Sequence, residues 1–138
     1  MAGDLSHSSF RDPSGFLFHH GDTLFRQVNN TYREDYEMLM GSGLYAELTA
    51  EGLMVPHEEA DPALRKTDDA FKIIQPELVP FISYPYEWCF SALKDAALLT
   101  VAIQKKALSH GMSLKDASAF NVQFRGGSPV FIDTLSFE

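Results

Sequence analysis

The chain has 138 residues, 45% of them hydrophobic, and a formal net charge of -8. That length suits one core, burying about two-thirds of the unfolded chain's surface. The acidic balance, with no basic run longer than Lys105-Lys106, disfavours nucleic acid and anionic membrane as partners. One cysteine, Cys89, excludes an intrachain disulfide and suits a reducing cytoplasm, where the protein is expected to reside; beside Trp88 it reads as a packed thiol. No segment approaches the ~20 apolar residues of a membrane span.

Residues 1–9 are small and polar and are expected to be disordered, with residues 10–138 forming a single domain. Gly15–His19 and Thr23–Val28 are β-prone runs around Gly21-Asp22, the pattern of a tight hairpin. Phe16 and Phe18 share one face, whereas Phe25 and Val28 break strict alternation and imply a twist or bulge. His19 and His20 point to opposite faces and have no third ligand at metal spacing, so they read as turn residues. Thr31 with Glu34 forms a capping-box pattern that starts a helix carrying Tyr32, Tyr36, Leu39 and Met40 on one stripe. Gly41-Ser42-Gly43 interrupts it, and Leu44–Leu48 resumes a helical piece that stops at Gly52.

Pro56–Asp69 has mixed charges and reads as a solvated loop. Phe71–Gln75 and Val79–Tyr84 read as two strands, the second either an edge strand or one that starts at Pro80, which lacks a ladder donor. From Phe90 or Ser91 to His110 the pattern is a long helix, apolar over much of its circumference and therefore central. Leu99 and Ile103 should be enclosed, and Lys94 and Lys105 should face solvent. Asn121–Phe124 and Pro129–Ile132 form a strand pair around Arg125-Gly126-Gly127-Ser128. The sum is an α+β fold, a small antiparallel sheet with helices. No dinucleotide or phosphate-loop glycine motif is present.

The chemistry-bearing residues lie near the C-terminus. Asp116, Asn121 and Asp133, in the layout Asp-x-x-x-x-Asn, hairpin, Ile-Asp, resemble the catalytic and metal-binding loops of protein-kinase-like phosphotransferases. That resemblance implies a reduced kinase-like N-lobe followed by a central helix and a catalytic-loop-like hairpin. Asp116 would be the base, while Asn121 and Asp133 would be the oxygen ligands of magnesium with a bound nucleotide. Arg26 and Glu37 would stand where the nucleotide-contacting lysine and its acidic partner stand. Two departures are visible: Leu114-Lys115 precedes Asp116 where His-Arg is usual, and Thr134-Leu135 follows Asp133 where Phe-Gly is usual. Turn and capping roles would equally explain all three residues.

A second resemblance covers nearly the whole chain. Ser9–Phe16, Phe25–Asn29, Phe81–Trp88, Leu93–Leu99, Leu114–Asn121 and Phe131–Glu138 look like the N-terminal region of proteins related to nodulation protein NoeA, which are S-adenosylmethionine-dependent methyltransferase-like. The resemblance implies that the methyltransferase domain, with its S-adenosylmethionine, lies downstream of Glu138 and is this region's partner. It implies no cofactor and no activity in this chain alone. Apolar residues near Phe131–Phe137 would supply the contact surface. Three readings stand: an accessory or substrate-positioning domain of a methyltransferase, a phosphotransferase using Asp116, Asn121 and Asp133, and a purely structural domain.

Overall fold

Gly21 adopts φ 63°, a left-handed backbone that suits glycine, and with Asp22 it folds β1 (Gly15–His20) back on β2 (Thr23–Asn29). The computed structural model describes residues 13–79, 88–116 and 121–138. The expected disordered segment 1–9 and most of the expected strand Val79–Tyr84 lie outside the described residues; Val79 itself is irregular. The fold is α+β, and the described residues cluster into two compact units: residues 13–36 with 56–77, and 37–55 with the described part of 78–138.

The first unit is built on one antiparallel sheet. β3 (His57–Glu59) and β4 (Ala70–Pro76) complete it in the order β1-β2-β4-β3. β2 is paired along both edges, and every residue from Phe25 to Asn29 is buried, so both of its faces are covered and its sequence does not alternate. The expected irregularity is a register shift between Val28 and Asn29 against β4. Phe16, Phe18, Phe25 and Ile73 form the core of this unit, with Ala60 and Leu64 packed on it.

The region read as a solvated loop contains β3 and a 3-10 turn, Pro62–Leu64, whose first amides are capped by Asp61 accepting from the Ala63 amide at 2.9 Å. A His-Glu-Glu edge strand offers no apolar alternation, so only its pairing with β4 reveals it. The expected capping box is also corrected. A 3-10 turn, Asn30–Tyr32, precedes α1 (Arg33–Gly41), and the Thr31 hydroxyl donates to the Pro13 carbonyl at 2.7 Å instead of capping the helix.

In the second unit, Leu39 from α1, Leu44 and Leu48 from α2 (Leu44–Ala50), and Ala96, Leu99, Ile103 and Ala107 from α3 (Phe90–Ser109) share one core with Val122, Phe131 and Phe137. α3 runs as expected, with Leu99 and Ile103 buried and Lys94 and Lys105 exposed. It is not enclosed all round: Leu93, Leu98, Val101 and Leu108 face outward.

β5 (Val122–Arg125) and β6 (Ser128–Phe131) form the expected hairpin, turned at Gly126 and Gly127 with φ 59° and 83°, both left-handed as a two-residue primed turn requires. Leu53 and Val55 hydrogen-bond along Phe131, and residues 113–115 pair with 136–138. These pairings draw the end of the chain inward, so Phe131, Leu135 and Phe137 are buried and cannot provide the exposed contact surface expected of them. No described helix is long and apolar enough to cross a membrane.

Candidate functional site

After β6 the chain turns sharply at Asp133, which caps a 3-10 turn, Thr134–Ser136. Its Oδ1 accepts from the Leu135 amide at 3.0 Å and its Oδ2 from the Ser136 hydroxyl at 2.5 Å. Asn121, at the entrance to β5, donates from Nδ2 to the same Ser136 oxygen at 3.4 Å. The Ser136 carbonyl in turn accepts from the Lys115 amide at 2.8 Å, and the Asn121 carbonyl accepts from Ile132 at 2.9 Å. Ser136 is thus the junction that brings Asn121 and Asp133 to one hydroxyl and holds the chain next to Asp116. Asp116 itself is exposed.

Asn121 and Asp133 are half-buried and present oxygen atoms, the ligand chemistry that magnesium takes. The geometry also fits the structural role, because a carboxylate that receives an amide and a hydroxyl is a well-satisfied cap. Among the described residues no group of three or more His, Cys, Asp or Glu side chains is arranged to hold a metal. The signal in the sequence for Ser136 is Asp-Thr-Leu-Ser at capping spacing, a pattern shared with ordinary turns. Arg26 is buried in β2, and Glu37 is exposed on α1.

A second polar cluster, in the first unit, joins residues far apart in sequence. The buried Tyr36 hydroxyl lies 2.9 Å from Nε2 of His57 and donates to Oε2 of Glu59 at 3.2 Å. The other Glu59 oxygen pairs with Lys72 at 3.2 Å. The Tyr36 hydroxyl thus sits between the His57 ring and the Glu59 carboxylate and links the two. Burial lowers the His57 pKa from 6.5 to about 4, with Glu59 opposing the shift.

Cys89 is exposed, which corrects the packed-thiol expectation. It precedes the first residue of α3, and its Sγ lies 3.2 Å from the Ser91 hydroxyl; this contact and the Ala92 amide lower its pKa.

Comparison with curated proteins aligns 132 residues at 39% identity with nodulation protein NoeA of Rhizobium meliloti (strain 1021). Over that stretch the chain is similar to NoeA. The aligned region is 94% of this chain and 27% of NoeA, so the chain spans about a quarter of the length of the curated relative. No family model matches the chain.

Proposed function

We propose that this chain is an accessory, substrate-positioning N-terminal part of a longer, cytoplasmic, S-adenosylmethionine-dependent methyltransferase related to NoeA, inactive by itself. The observation that carries the reading is the disparity in coverage: the similarity extends over 94% of this chain but 27% of NoeA. Chemistry points the same way. A nucleotide-like cofactor is held where glycines let backbone approach it between a strand and a helix. Here β2 passes into α1 through Asn29-Asn30-Thr31-Tyr32, a junction with side chains at every position. In this reading the S-adenosylmethionine site lies in the remainder of the longer protein, which is this region's partner.

A second reading keeps the phosphotransferase alternative, favoured by the Asn121–Ser136–Asp133 linkage and the Ser136–Lys115 bond next to Asp116. Asn121 and Asp133 would hold the magnesium of a nucleotide, and Asp116 would accept a hydroxyl proton. Thermal melting separates the two, because a ligand that binds only the native state raises its stability. Neither S-adenosylmethionine nor magnesium-ATP should shift the melting of the 138-residue chain. A shift with magnesium-ATP that Asp133→Ala abolishes would favour the second reading, and a shift with S-adenosylmethionine would overturn the first.

A further inference from the structure

α3 buries one stripe in its unit and leaves another uncovered. Phe90 is 83% exposed, Leu93 41%, Leu98 58%, Val101 51% and Leu108 60%. On a helix of 3.6 residues per turn, Phe90, Val101 and Leu108 fall within ~20° of one line, with Leu93 and Leu98 on either side. The strip is about 27 Å long, which makes an apolar patch of a few hundred Å², comparable to the largest patch on a typical monomer, which is often functional.

Charge decides among the occupants. Lys94 and Lys105 are exposed on the same face, three turns apart. Two copies of α3 packed antiparallel about their centres would set Lys94 against Lys105 at both ends, and packed in parallel they would set each lysine against its equivalent. Like charges so placed repel, and the area falls short of the ~800 Å² per partner of a stable dimer. An anionic membrane is disfavoured by the chain's formal net charge of -8. A small patch suffices when its partner is tethered, because the linker supplies a high effective concentration. NoeA has nearly three-quarters of its length outside the region that this chain matches.

We propose that the outward stripe of α3, Phe90 to Leu108 with Lys94 and Lys105, docks an apolar helix flanked by acidic side chains from the remainder of the longer protein. The inference rests on the reading of this chain as part of such a protein, and it requires no methyltransferase activity.

Hydroxyl-radical footprinting of the 138-residue chain and of full-length NoeA tests it. In the chain, which should sediment as a monomer, the five apolar residues should be readily modified. In NoeA the aligned positions should be protected at least fivefold. The charge requirement is read on the chain with two synthetic amphipathic leucine helices, one carrying glutamates eleven residues apart and one carrying lysines there. The glutamate peptide should bind at least tenfold tighter, and Val101→Asp should abolish its binding. Equal modification in both proteins, equal affinity for both peptides, dimerisation abolished by Val101→Asp, or protection of the stripe by phosphatidylserine vesicles would each overturn the proposal. None of these outcomes touches S-adenosylmethionine binding, so docking and the methyltransferase reading fail separately.

Discussion

The Tyr36 hydroxyl stands 2.9 Å from Nε2 of His57, tying α1 to the edge strand β3. Because the folded state keeps His57 neutral down to about pH 4 while the unfolded chain protonates near 6.5, the unfolded state binds more protons between those values. Stability is full above pH 6.5 and falls as pH drops toward 4, by about 1–3 kcal/mol. Urea midpoints measured from pH 7 to pH 4.5 should decline. His57→Gln should flatten the part of the decline that this ring contributes.

Leu99 and Val101 lie on the same helix with opposite fates. Leu99→Ala empties part of a packed core and should cost about 2–5 kcal/mol. Val101→Ala, on the outward stripe, should stay within about 0.5 kcal/mol in the isolated chain. Equal shifts in urea midpoint would show that α3 does not pack by the stripe described.

Gln27 is a buried polar side chain that clamps a loop. Its Nε2 donates to Asn29 at 2.9 Å and to Thr67 at 2.6 Å, and its Oε1 accepts from the Lys66 amide at 2.8 Å. Gln27→Leu strands these partners and should cost about 1–3 kcal/mol. Hydrogen exchange at the Lys66 amide should accelerate in the same variant.

Cys89 should react with iodoacetamide faster than an unperturbed thiol at pH 7.5, since the Ser91 hydroxyl and the Ala92 amide lower its pKa. Ser91→Ala should slow the reaction. An unchanged rate would remove the hydroxyl as a cause.

Much of this fold was legible because its signals are local. Gly21-Asp22 and Gly126-Gly127 announce their hairpins, and the apolar spacing of Phe90–Ser109 announces the helix. What escaped is non-local. β3 exists only through β4, and Tyr36 finds His57 across 21 positions. The outward side of α3 shows why apolar content alone does not establish burial: Leu98 and Leu99 are adjacent, alike and oppositely placed. At the candidate site, Asn121 and Asp133 were identifiable from spacing, whereas the hydroxyl joining them was hidden in an ordinary capping pattern.

The most direct test of the central claim is calorimetry with S-adenosylmethionine on this chain and on full-length NoeA from Rhizobium meliloti, side by side. The account expects saturable heat from NoeA and none from the 138-residue chain. Saturable micromolar binding by this chain alone, or no binding by either protein, would contradict it.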